Sequence, residues 1–176
     1  MHTIPDSQKI MAGLLLFFLL GGMMEAGQAA IVIRRVADPT PQNWLGTGPI
    51  QFTEPVCIRW NTQGTTASTT QYTVTATGTG GGGAFYLQGP SPLSNDVIQY
   101  AVQWGDSATS ITGVALTAGV TSSAFTPNPY LTPNPSPQIP CNSDNATAIV
   151  IIPESELQNA PAGDYSGTLF MTVAPL

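Results

Sequence analysis

His2, Lys9, Cys57 and Cys141 are the residues that nucleophilic or transition-metal chemistry would draw on first. A Ser or Cys nucleophile needs a base within hydrogen-bond reach, and beyond Lys9 the chain holds neither His nor Lys. Zinc and its relatives need His or Cys ligands, so no metal site is expected. Glu154 and Glu156 stand two apart, and Asp106 follows Trp104 in a turn. They are the one carboxylate set that glycoside hydrolysis could use, and acids in such loops are usually a solvated face. Asn142, Asp144 and Asn145 offer oxygens for calcium. One carboxylate is few for a cation that takes six to eight ligands, and Asn and Asp are ordinary turn formers. Gly78 with the run Gly80-Gly81-Gly82-Gly83 satisfies G-x-G-x-x-G in form, but pyrophosphate binding needs a following helix. Here Ala84-Phe85-Tyr86-Leu87 follows, and the stretch reads as a hairpin turn. Asn145-Ala146-Thr147 matches a glycosylation sequon, with Thr147 better explained as the start of a strand. The reading is a protein that is not an enzyme and carries no cofactor.

Composition narrows the partners. The chain has 176 residues and a net charge of −6, and 8% of it is charged, against about 25% in ordinary domains. Residues 1–29 read as a secretory signal. Lys9 lies in the n-region, the apolar run includes Leu14-Leu15-Leu16-Phe17-Phe18-Leu19-Leu20, and Gly27 and Ala29 stand at the −3 and −1 positions. Gly21 and Gly22 break a run that is short for the ~20 residues a span needs, so no stable membrane span is expected. After removal of that segment only Arg34, Arg35 and Arg59 are basic. No basic patch exists to neutralise phosphates, which argues against nucleic acid. In the oxidising compartment a signal implies, Cys57 and Cys141 read as one disulfide, contributing roughly 4–5 kcal/mol by chain entropy.

The elements that must position these residues are strands. Residues 71–77 alternate, with Tyr72, Val74 and Ala76 inward and threonines outward. Residues 97–104 are the strongest strand, with Ile98, Tyr100, Val102 and Trp104 on one face. Residues 49–52, 56–60, 84–87 and 111–116 are weaker candidates, and residues 146–152 are apolar on both faces. Residues 165–173 close the pattern, with Tyr165, Leu169, Met171 and Val173 on one face. Pro153 to Ala160 holds at most one helical turn. Residues 127–140 are proline-rich and read as an extended crossover. About seven or eight short strands with turns between them predict an all-β, Ig-like antiparallel β-sandwich, a jelly roll or small barrel being the competing architecture. The boundaries are 1–29 for the signal, 30–48 for an N-terminal extension and linker, and 49–176 for the sandwich.

The motifs Val56-Cys57-Ile58-Arg59-Trp60, Gln71 to Leu87, Ile98 to Ala108, Thr112 to Gly119, Cys141 to Pro153 and Ala160 to Pro175 stand in an order that resembles the spore coat protein U family. Its members include the pilin-like subunits of archaic chaperone–usher pili. The resemblance runs from Val56 to Pro175, and its specificity lies in the order of several weak motifs. It implies a sandwich that lacks its own final strand, exported through the periplasm to a surface fibre. The implied partners are a periplasmic pilus chaperone, an outer-membrane usher and neighbouring subunits, each meeting the chain by strand addition to an open edge. The implied acceptor groove is lined by Leu169, Met171 and Val173. The implied donor strand lies in residues 30–37, with Ile31 and Ile33 in one register and Val32 and Val36 in the other. Arg35 interrupts the first register and Arg34 the second. If the segment folds back, the domain closes on itself; the resemblance implies that it is held out for a neighbour. Competing readings are a secreted carbohydrate-binding module, with Trp44, Tyr86, Tyr130 or Phe170 stacking on sugar, and a spore-coat-type structural protein.

Overall fold

A computed structural model describes residues 11–17, 30–34, 37–61, 71–91, 96–126 and 144–176. Among the described residues are eleven strands, arranged in two sheets, and one short α-helix: β1 Met11–Phe17, β2 Ala30–Arg34, β3 Gln42–Asn43, β4 Ile50–Asn61, β5 Tyr72–Gly78, β6 Tyr86–Gln88, β7 Val97–Gln99, β8 Ala101–Gly105, β9 Val114–Leu116, β10 Ala146–Ile152, α1 Glu154–Asn159 and β11 Asp164–Pro175. The core is an antiparallel β-sandwich with four strands in each layer. One sheet holds β5, β6, β7 and β11, and the other holds β4, β10, β8 and β9 in that order. The amino-terminal segments add to both: β1 and β3 extend the first sheet beyond β11, and β2 extends the second beyond β4.

Period-two alternation builds the core. Tyr72, Val74 and Ala76 of β5 and Tyr165, Leu169 and Met171 of β11 are buried against Phe52, Val56 and Ile58 of β4 and Val102 and Trp104 of β8. Tyr72, Trp104 and Phe125 form an aromatic centre, with Tyr72 and Trp104 edge to face at 6.5 Å and Tyr72 and Phe125 at 5.6 Å. Trp104 Nε1 donates to Tyr72 Oη at 3.0 Å, so the indole N–H is not left bare in the core.

Two strand expectations change. Residues 97–104 are two strands, because the chain passes from one sheet to the other at Tyr100, whose N–H bonds to Phe85 O at 3.0 Å. The inward alternation survives the crossing because both sheets face one core: Ile98, Tyr100, Val102 and Trp104 are all buried. Conversely, residues 49–52 and 56–60 belong to one strand, β4, which runs through Pro55. Proline is tolerated there because β2 pairs only with residues 57–61, leaving the Pro55 stretch at a sheet edge. The eight strands of the sandwich match the expected seven or eight, and among the described residues the amino-terminal segments add β1, β2 and β3.

Strand β10 is apolar on both faces for two separate reasons. Ala148, Val150 and Ile152 face the other sheet. Ile149, at 0% exposure, faces away from it. Residues 106–113 lie over that outer face: Thr147 Oγ1 donates to Ser107 O (2.6 Å), Gln51 Nε2 to Ile111 O (2.9 Å) and Gly113 N to Gln103 Oε1 (2.9 Å). A second cover runs along the outer edge of β5, where Gly119 N reaches Ala76 O, Ser122 N reaches Val74 O, and Tyr72 and Phe125 exchange both backbone bonds. That edge of the sandwich is therefore closed.

Candidate functional site

Strand β11 is long enough to be read along both of its edges. Residues 169–175 pair antiparallel with β5, and Ser166 pairs with Gln88 of β6. Residues 164–170 also pair with β1, in parallel and in seven consecutive registers from Met11 with Asp164 to Phe17 with Phe170. Ser166, Leu169 and Phe170 have partners in both sets, so among the described residues β5 and β6 share one edge and β1 holds the other. Parallel pairing along residues 164–170 is thus supplied by the apolar stretch Met-Ala-Gly-Leu-Leu-Leu-Phe, which lies within the segment expected to be a signal.

Beneath this edge lie the residues that the resemblance implied for an acceptor groove. Leu169 is 0% exposed and Met171 1%, while Val173 is half-buried and packs against the core. Phe170, the apolar residue on the polar face, is half-buried. Tyr165 anchors the start of the strand: it is buried, and its Oη donates to Pro161 O at 2.9 Å. Burial raises its pKa, and Asp96 adds to that.

The expected donor segment is not held away from its own domain. Ala30–Arg34 pairs antiparallel with residues 57–61 of β4, setting Ile33 against Ile58 and Arg34 against Cys57. Ile33 packs on the core. Ile31 and Val32 lie on the same strand, and Val36 lies outside the described residues. The chain that follows is pinned. Ala37 N donates to Glu54 Oε1 at 2.8 Å. Trp44 packs against the core, with its Nε1 donating to Gly48 O at 2.9 Å. Glu54 stands on the core-facing side of β4 between Phe52 and Val56. Burial raises its pKa, the Ala37 bond opposes that, and the Asp144 and Asp38 charges reinforce it.

The other candidates disperse. Glu156 Oε2 accepts from Gln99 N at 3.1 Å, while Glu154 Oε1 accepts from Gln158 Nε2 at 2.9 Å. Each acid therefore holds a structural bond, and Asp106 lies beyond the end of β8. Asn145 is occupied by Ile58, and Thr147 is buried at 1% exposure, so the sequon is part of the strand framework. Asn142 and Tyr130 lie outside the described residues. Among the aromatics, Trp44 serves the core, Tyr86 lies over the glycine turn, where a Cβ on Gly80 would sit 2.6 Å from its ring, and no ring contact joins either of them to Phe170. The glycine run is the expected turn, closed by Gly83 N to Gly80 O at 2.9 Å, with Gly82 and Gly83 at φ of 71° and 82°, and strand β6 follows it. Cys57 is buried and is not a free thiol; its expected partner Cys141 and the proline-rich crossover lie outside the described residues. Among the described residues no helix is long and apolar enough to cross a membrane.

Residue reasoning missed β1 as a strand, because its continuous apolar run has no period and reads equally as a signal core. The bonds made by Glu54 and Asn145 were not legible either, because their partners stand 17 and 87 residues away. No protein-family model matches the chain, and a search of curated proteins returns no match.

Proposed function

We propose that the chain is a secreted structural subunit of a chaperone–usher-type surface fibre, and that it works by accepting a strand from another polypeptide. One observation carries this reading. Along residues 164–170, β11 takes its parallel pairing, among the described residues, from β1, and β1 lies inside the segment read as a signal. Removal of that segment leaves an unpaired row of N–H and C=O groups beside Leu169 and Met171, a template for strand addition. A complementing strand that buries four or five apolar side chains supplies roughly 6–15 kcal/mol before ordering costs. That is comparable to a domain's whole stability of about 5–15 kcal/mol, so the partner strand decides whether the subunit persists. A periplasmic chaperone would supply it in transit, and a neighbouring subunit would supply it after passage through an outer-membrane usher. The expected bridge between Cys57 and Cys141 belongs to the same export route.

Hydrogen exchange tests this on the chain purified with and without residues 1–29. Amides within residues 164–170 are expected to be protected in the longer form and to exchange fast in the shorter one. Protection should return when a peptide of residues 11–17, flanked by lysines for solubility, is added. A shorter form that is monodisperse, folds cooperatively and is equally protected along this edge would sink the reading.

A further inference from the structure

The sandwich has two edges that its amino-terminal segments complete, and they differ in kind. At β11 the occupant is β1, from the segment read as removable. At β4 the occupant is β2, from the segment expected to remain. Strand β2 is integrated rather than parked. It pairs with five consecutive residues of β4. Ile33 packs into the core opposite Ile58. The next stretch is fastened by the bond from Ala37 N to Glu54 Oε1 and by Trp44. Ile58 has both backbone groups bonded to the Asn145 side chain on one edge of β4, which places β2 on the other. The sequence agrees: Arg34 and Arg35 break both apolar registers just where a strand bound for another molecule would need to continue.

We propose that residues 30–34 are a structural strand of their own domain, so that this subunit accepts a strand at β11 and uses its own amino-terminal strand in cis. This rests on the accepting-edge reading above, and it gives the chain an end position in an assembly, joined to one partner through β11. A unit that extends a fibre must give as well as receive. Here the segment in the giving position is consumed by β4, and releasing it would expose Ile33 and the edge at Cys57 and Ile58 together.

The test is cross-linking across the register pair Ala30 and Asn61. The full chain carrying Ala30→Cys with Asn61→Cys is exported from a host with its own signal, in separate light and heavy nitrogen-isotope batches. The batches are mixed, unfolded and refolded together, and treated with a short bis-maleimide. Peptide mapping then assigns every link. Like-labelled pairs alone, at any protein concentration, are expected. Mixed-label pairs as frequent as like-labelled ones, or no link between these positions, overturn the proposal. An Ile33→Asp variant is the second readout. It is expected to lower the thermal midpoint of the chain that retains residues 1–29, and an unchanged midpoint counts against β2 as a structural strand. The edge-exchange experiment on β11 runs beside these: its failure removes the accepting edge whatever the cross-links show, whereas mixed-label links remove only the cis assignment.

Discussion

Asn145 holds both backbone groups of Ile58: Ile58 N donates to its Oδ1 at 2.8 Å, and its Nδ2 donates to Ile58 O at 2.9 Å. A side-chain amide thereby extends the ladder between β10 and β4 beyond the last paired residues, Ala146 and Val56. Asn145→Ala leaves the two Ile58 groups without that partner, at an expected cost of about 1–3 kcal/mol. Asn145→Asp keeps the acceptor, loses the donor and should fall between. Urea unfolding midpoints rank the three proteins.

Two buried tyrosines should respond with opposite sign when the hydroxyl is removed. Tyr72 Oη accepts from Trp104, so Tyr72→Phe strips the indole N–H of its partner and should cost about 1–3 kcal/mol. Tyr100 Oη is buried and has no hydrogen-bond partner among the described residues, while its ring stacks on Phe85 at 5.5 Å. Tyr100→Phe keeps the stack and removes a dehydrated hydroxyl, so it should be neutral or stabilising by up to about 1 kcal/mol. Paired thermal melts decide both.

Glu54 sets a pH dependence. Its pKa is raised from the ordinary value of 4.5, chiefly by burial. The folded state therefore favours the protonated acid, so the contribution is fully present below the unfolded pKa and is lost as pH rises through the folded one. Glu54→Gln keeps an acceptor for Ala37 N and has no charge to desolvate. It should gain stability at pH 7, by under about 1 kcal/mol after solvent screening, and the gain should vanish near pH 4. Melting curves across that range measure it.

The proposed groove is tested by truncation and by charge. Leu169→Ala should cost about 2–5 kcal/mol because the site is fully buried. Met171→Asp puts an unpaired carboxylate into the core and should abolish recovery of folded protein. Recovery equal to the parent would show that β11 does not bound the core.

Cys57 should resist alkylation in the native chain, and non-reducing peptide mapping should link it to Cys141. Cys141→Ser should lower export yield by removing a constraint worth roughly 4–5 kcal/mol on the unfolded chain.

The sequence alone determined the fold class, the inward faces of β5 and β11, including Leu169 and Met171, and the glycine turn. All follow from period-two alternation and turn chemistry, which are local. Tertiary structure decided whatever depends on partners distant in the chain. Alternation in residues 97–104 gave no sign that the strand changes sheets, because a residue facing the shared core looks the same from either layer. The double apolarity of β10 did not reveal that one face is covered by residues 106–113. Residues 30–34 have strand propensity, but which edge they complete is set by the open side of β4 opposite Asn145. Nor did the apolar run 11–17 foretell its place on β11, because its lack of period is compatible with signal core and buried strand alike. An edge chooses its occupant by backbone register, and that register exists only once both sheets are assembled.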